Sequence, residues 1–272
     1  MPCPHCSSEE TRELDRPTKL GYKRYQCASC DRTFNERTGT PFNHFEFPTD
    51  LVLLVVLWRL RYKLTLRDLA EMFLERGLVF THEAVRDWEA RFAPLMAEEL
   101  RKRRKGNRGR KWHVDETYLK VKGKWCYLYR AIDKEGKLID VRLSKTRDME
   151  AAKQFFEKAL TTAGDVPEKV TTDGHDSYPR AIEETLGEEV EHRSSRYMNN
   201  VMEQDHRGIK GRYKVMHCFK GFDSASRFCD AYDGLRDYLR PRSCRYETLS
   251  LPEQRNLYLE RTQSLLAAVG GV

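Results

Sequence analysis

The longest apolar run in this sequence, Leu51 to Trp58, stops at Arg59 and is far too short to span a bilayer. No basic stretch followed by an apolar segment and a small-residue cleavage site opens the chain, so no export is expected. Internal repeats and low-complexity tracts are absent too, which excludes a repeat array. These absences lead to the expectation of a cytoplasmic protein with no membrane partner. In a reducing compartment the eight cysteines argue against a disulfide framework and leave metal binding or packing as their use.

What is present is a charged chain, with 33% Asp, Glu, Lys and Arg against 39% hydrophobic residues, expected to be soluble and able to bury a core. Its 272 residues suffice for one large domain or two to three small ones. The net charge of +7 is unevenly spread. Residues 1–111 hold 22 Lys and Arg against 16 Asp and Glu, whereas residues 112–272 hold 27 against 26. That distribution suggests a polyanion-binding front end joined to a nearly neutral body.

The front end opens with Cys3-Pro4-His5-Cys6 and, after twenty residues, Cys27-Ala28-Ser29-Cys30. Each CxxC knuckle turns tightly enough for both thiolates to reach one ion, and four soft sulfurs suit one structural tetrahedral Zn²⁺. The bland reading is two coincidental cysteine pairs. Tyr22–Gln26 alternates as a short strand leading to the second knuckle. Residues 1–48 are therefore expected to form a zinc ribbon folded by its metal.

Residues 49–100 read as helices. Thr49-Asp50, Thr65 and Thr81 are candidate N-caps, Gly77 ends the second helix, and Pro94 is expected to end the third at Phe92. Two short helices with Arg86, Trp88 and Arg91 on the second suggest a helix-turn-helix, with Arg86 or Arg91 near DNA. A plain helical bundle with Trp88 in its core fits equally well. Residues 101–111 carry eight basic residues in eleven, among them Arg101, Lys102, Arg103, Arg104 and Lys105. Such density predicts a mobile linker that tracks phosphates, although charge runs are commonly solvated faces.

From Trp112 the pattern changes. Strands are expected at 112–121, 124–133 and 137–143, joined by Lys122-Gly123 and Glu135-Gly136 turns. A helix follows at 149–160, a short strand at 170–172, a helix at 178–186, a strand at 189–193 and a long helix at 199–213. This order predicts an α/β domain over 112–240 with a mixed sheet covered on both faces. A helical tail is expected over 241–272.

Asp115 falls in the first strand, Asp173 at the end of the fourth, and Glu203 in the long helix. A mixed sheet can bring the first two together while a helix lowers a third acid over them. Such a cluster suits Mg²⁺, which keeps open positions for phosphate and water. In Asp115-Glu116 the side chains leave opposite faces of the strand, so only one is expected in the cluster. Pattern alone does not select these acids among 42.

The segment Trp112–Tyr118 with Lys122–Asp133 resembles the opening of the DDE transposase domain, most nearly in the bacterial insertion-sequence-six family. Thr172-Asp173 resembles that family's second acid, and Asn199–His206 the segment bearing its third. The likeness runs back through Leu66–Phe92 and the basic linker and forward through Lys220-Gly221-Phe222. It implies an RNase H-like fold, two Mg²⁺ or Mn²⁺ ions, and catalytic Asp115, Asp173 and Glu203. It implies too that Lys210, two helical turns beyond Glu203, holds a DNA phosphate; His206 and Arg207 share that face by spacing. Double-stranded DNA at element ends and target, and a homodimer or larger assembly, follow as partners. Only 29 residues separate Asp173 from Glu203, so the connection between them is expected to be trimmed. A non-catalytic DNA-binding regulator and a nuclease of the same fold are the rival readings.

Overall fold

A computed structural model describes residues 1–195, 200–240 and 249–271. At the front, β1 (Thr11–Leu14), β2 (Arg24–Cys27) and β3 (Thr33–Asn35) form an antiparallel sheet in that order. Its core is small: Cys3, Cys27 and Phe34 are buried, with Tyr25 stacked on Phe34 at 5.5 Å. A cluster this size supplies little burial energy, which is why metal is expected to hold it together. Phe42 stacks on Phe92 at 4.5 Å and ties the ribbon to the helices behind it.

Those helices are α1 (Thr49–Arg61), α2 (Leu66–Leu74) and α3 (His82–Arg104). Thr65 and Asp68 make a reciprocal capping box on α2, and the Thr81 hydroxyl accepts from the backbone N–H of Ala84 on α3. Helix α1 starts at Pro48 without a side-chain cap. It is apolar all round and is correspondingly buried among its neighbours.

The third helix does not stop before Pro94. Proline inside a helix costs about 3 kcal/mol. Beyond it Met96, Ala97 and Leu100 are buried in the same core as α7. Each large side chain so buried stabilises by about 1.5–3 kcal/mol, so continuation wins.

The expected mobile linker is replaced at its start by the last turn of α3. Arg104 is 4% exposed and lies 3.9 Å from the buried Asp140 carboxylate. Arg101 approaches the same carboxylate at 3.6 Å. Arg103 pairs with Glu99 at 2.8 Å and donates to Tyr238 and Ser264, while Arg108 pairs with Asp237 at 3.0 Å. The buried Asp140 on the sheet and the partly buried Asp237 on α7 neutralise this run, so it packs instead of repelling itself into solvent. Lys102 and Lys105 remain exposed.

The larger sheet contains β4 (Lys111–Val121), β5 (Lys124–Asp133), β6 (Leu138–Ser144), β7 (Lys169–Thr172) and β8 (Glu191–Ser194). Their order is β6-β5-β4-β7-β8; the first three are antiparallel, and β7 and β8 run parallel to β4. Lys122 and Gly123 both have positive φ, as a two-residue turn between twisted strands requires. One face is covered by α4 (Met149–Ala163) and α5 (Tyr178–Leu186), through Phe155, Phe156, Tyr178 and Ile182. The other receives α6 (Asn200–Val215), α7 (Phe222–Leu239) and the front helices. In the tail, α8 (Leu251–Gly270) packs on α1 and α3. The mixed sheet with helices on both faces is the RNase H-like architecture expected.

One further element differs from expectation. Helix α7, absent from the expected elements, carries Ala225, Phe228, Cys229, Tyr232, Leu235 and Leu239 at helical spacing, all buried. It joins α3 to the sheet, so the front helices share one core with the body. The expected helix start at Asn199 lies outside the described residues; α6 is described from Asn200.

Candidate active site

The site arises where β4 loses a neighbour. Strand β7 pairs with β4 only from Lys111 to His113 and ends at Thr172. Past that point the β7 side of β4 is open, and Asp115 and Asp173 face each other across the gap. Gly174 makes the turn away from Asp173 at φ +88°, a conformation that glycine adopts without strain, and an added Cβ would force the Ser194 hydroxyl to turn aside.

Asp115, Glu116 and Asp173 each place a carboxylate oxygen within 4.8 Å of the others. This corrects the expectation that only one member of Asp115-Glu116 joins the cluster. The two side chains leave opposite faces, Glu116 toward α5 and Asp115 toward α6, and both come within reach of Asp173 at the open edge of β4. Its carboxylate accepts from Tyr178 and pairs with Arg147, which also reaches Asp173 at 3.5 Å. Burial pushes Glu116 above the usual carboxylate range and the charges of Asp115 and Asp173 add to this, opposed by Tyr178 and Arg147. Burial, reinforced by the Glu116 charge, also raises the Tyr178 hydroxyl, so it acts as a donor.

Asp115 takes its other partner from α6: His206 Nε2 lies 3.2 Å from Asp115 Oδ2. His206 is 4% exposed, and Ile209 beside it is buried too. Glu203 belongs to α6, one turn before His206, but its side chain falls outside the described residues. Arg207 and Lys210 are exposed on the same helix. The structure thus brings Asp115 and Asp173 together and sets α6 against them. The sequence places Glu116 only as the neighbour of Asp115 on the opposite face of the strand, and Arg147 and Tyr178 stand in no recognisable spacing with the acids.

The carboxylate oxygens, close together at an open strand edge, fit a divalent cation, whose hard charge prefers oxygen ligands. In the ribbon, Cys3, Cys6, Cys27 and Cys30 converge. Cys3 and Cys30 sulfurs are 3.7 Å apart, and those of Cys6 and Cys27 3.5 Å. A regular tetrahedron with Zn–S bonds of about 2.3 Å has sulfurs about 3.8 Å apart, so the set fits zinc. Burial opposes ionisation of Cys27, but backbone N–H groups of Cys30 and Ser29 and the Cys6 thiol outweigh it and draw Cys27 down to about 6.

The remaining candidates are scattered. Arg86 is exposed and paired with Glu83, and the Arg91 guanidinium lies 4.8 Å over Phe45. Trp88 is 5% exposed and packs on Phe47 and Phe80, the core position left open above. Among the described residues, no helix is long and apolar enough to cross a membrane.

The chain has recognisable relatives. A family described as a DDE domain matches residues 109–240. The transposase for insertion sequence-like element IS431mec of Staphylococcus aureus is 39% identical over 175 residues, covering 63% of this chain and 77% of that protein. The transposase for IS257 in transposon Tn4003, also from Staphylococcus aureus, shows the same identity and coverage. Among solved structures, the HTLV-2 integrase catalytic core domain in complex with magnesium aligns with TM-score 0.39 and 15% identity, over 56% of this chain and 99% of that one. Through its transposase relatives, the chain belongs to the insertion-sequence-six family of DDE transposases.

Proposed function

We propose that the enzyme cuts DNA at the ends of its element and joins the freed ends to target DNA at one site built on Asp115, Asp173 and Glu203. The observation that carries this is the meeting of the Asp115 and Asp173 carboxylates at the open edge of β4, with α6 held against them through His206. Two Mg²⁺ or Mn²⁺ ions held by the three acids would make water or a 3′-hydroxyl nucleophilic near neutral pH and stabilise the leaving oxygen.

The residues of the chain do the rest. Asp115 is fixed within β4 and Asp173 just past the end of β7, and Glu203 is contributed by α6. His206 holds the Asp115 carboxylate, and Arg147 holds that of Asp173. Lys210 and Arg207, exposed along α6, are placed to take phosphates of the bound strand. Water first attacks the phosphodiester at the element end and a 3′-hydroxyl leaves. That hydroxyl then attacks a target phosphate, and another 3′-oxygen leaves. No covalent enzyme intermediate is needed.

The front of the chain serves recognition in this reading. Residues 1–48, with one Zn²⁺ on Cys3, Cys6, Cys27 and Cys30, and residues 49–100, with Arg86 and Arg91 exposed on α3, contact double-stranded DNA at the element ends. Residues 101–111 follow, then the catalytic domain over 112–240 and the tail over 241–272. Joining two ends calls for two protomers, hence a homodimer or larger assembly on DNA, in the cytoplasm where that DNA resides.

Alanine at Asp115, Asp173 or Glu203 should abolish Mg²⁺-dependent nicking of supercoiled DNA and joining of a precut end, while leaving end binding intact. Strand transfer retained by any one of these variants removes that residue from the site. Cutting without joining by the wild type would make the protein a nuclease.

A further inference from the structure

An aromatic surface stands next to the catalytic acids and plays no part in the chemistry above. At the far end of the β4–β5 hairpin, Trp125 is 55% exposed and Tyr118 46%. Their rings meet edge to face at 6.2 Å, and Tyr118 meets Tyr127 on the neighbouring strand at 5.4 Å. The Lys120 ammonium lies 4.8 Å over Trp125. Register places Tyr118 opposite Tyr127 and Lys120 opposite Trp125, so all four side chains leave the same face of the sheet.

Packing does not explain this exposure. A cross-strand aromatic pair stabilises a hairpin, and Tyr118 with Tyr127 already supplies one. Trp125 lies beyond it, more open than covered. The hairpin backbone is held from the other side: the Lys120 N–H donates to the Tyr213 hydroxyl at 3.2 Å, and the Lys122 N–H to the Phe219 carbonyl at 2.8 Å. The surface is therefore set in place before anything binds to it.

Two further facts narrow the occupant. Residues 117–128 hold no acid, while Lys120 stands on this face and Lys122 and Lys124 are exposed at the hairpin end, so this end of the hairpin favours an anion. A second copy of the chain docking here symmetrically would face like charge with like. The surface is also continuous with the active site: the Tyr118 hydroxyl accepts from Arg147 at 3.2 Å, and Arg147 reaches Asp173.

The geometry points to a stacking platform on which Trp125 and Tyr118 hold unpaired bases of the DNA strand beside the phosphate being cut or joined, while Lys120 and the turn's Lys122 track its backbone. Stacking demands a free base face, which duplex interior bases lack, so the platform takes strand ends or frayed bases. The assignment rests on the transposase reading for its place in the reaction, though not for its chemistry.

The test uses the full zinc-loaded chain without added Mg²⁺, with a short blunt duplex and the same duplex ending in an unpaired thymidine tail carrying 2-aminopurine. The wild type should prefer the tailed probe by roughly fivefold or more, with 2-aminopurine quenched. Trp125→Ala and Trp125→Leu should lose that preference and the quenching, Trp125→Phe should keep most of both, and all three should melt with the wild type. Leucine separates ring stacking from apolar packing against Tyr118. Lys120→Gln should weaken both probes alike and flatten the salt dependence.

Equal preference in the wild type and both non-aromatic variants would overturn the platform. So would a change in sedimentation on Trp125→Ala with tail binding untouched, which would mark the surface as a contact between copies. A nicking assay with Mg²⁺ on element-end plasmid separates the two readings. Cleavage by the wild type with tail preference indifferent to Trp125 sinks the platform alone. Trp125-dependent tail binding without any cleavage sinks the transposition mechanism and leaves a single-strand binding surface.

Discussion

His206 and Asp115 join a helix to a strand across the active site: the buried imidazole Nε2 of α6 lies 3.2 Å from the carboxylate of β4. Because α6 is also the helix that bears Glu203, one hydrogen bond fixes both the orientation of an acid and the approach of the element carrying another. Partners that orient metal-binding carboxylates typically contribute 10- to 100-fold in metal affinity or activity. His206→Ala should therefore weaken Mn²⁺ binding, read by titration calorimetry, and slow end cleavage by about one to two orders of magnitude. Recovery with His206→Gln, which keeps a donor at similar reach, would tie the loss to the hydrogen bond. Unaltered Mn²⁺ affinity in the alanine variant would reduce His206 to packing.

Glu116 gives a pH signature. Burial and the neighbouring Asp115 and Asp173 charges hold it above the usual carboxylate range. A group whose folded pKa is raised lends stability that is complete below its unfolded value and is lost as pH climbs through the folded one. Without added divalent cation, the wild type should lose stability relative to Glu116→Gln as pH rises from about 4 toward neutrality. Thermal melting of both proteins across that window checks it. Parallel curves would mean that Tyr178 and Arg147 fully offset the cost of the buried charge.

Much of this fold was legible because its strands and most of its helices carry their own punctuation. The Lys122-Gly123 turn, the Thr65 and Thr81 caps and the strand at Lys124–Asp133 appear where residue chemistry puts them. Helix α3 overran Pro94 because tertiary burial of Met96 and Leu100 outweighs a local breaker, and no local rule sees that burial. The basic run at 101–111 read as mobile because its neutralising partners, Asp140 and Asp237, lie far along the chain. At the site, resemblance singled out Asp115 and Asp173 among the acids, whereas Arg147 and Tyr178 become partners of Glu116 only through the sheet edge and α5.

Gly174 offers a test of backbone strain independent of the chemistry. Alanine there would adopt φ near +88° and press its Cβ against the Ser194 hydroxyl. Gly174→Ala should destabilise by about 1–3 kcal/mol, measured by urea unfolding. Adding Ser194→Gly removes the collision but not the dihedral cost, so the double variant should recover only part of the loss. Full recovery would mean that the left-handed backbone carries no strain; no initial loss would mean that the turn relaxes freely.

The basic run at the end of α3 divides into two functional halves that sequence alone cannot separate. Arg104 faces Asp140 in the interior, and Arg103 is held by Glu99, Tyr238 and Ser264, so their charges are already engaged within the protein. Lys102, beside Glu98 on the exposed face of the helix, and Lys105 face solvent, where they can release counterions from DNA. Neutralising Lys102 and Lys105 together should lower the slope of log affinity against log salt by up to about one unit per lost contact, with stability unchanged. Arg104→Met should do the opposite. Leaving Asp140 short of a partner in the interior, it should destabilise the fold by about 3–5 kcal/mol if Arg101 and Lys158 do not compensate, and leave the salt slope of the folded fraction intact. A reduced slope in the Arg104 variant, measured where it is fully folded, would place that side chain on DNA after all.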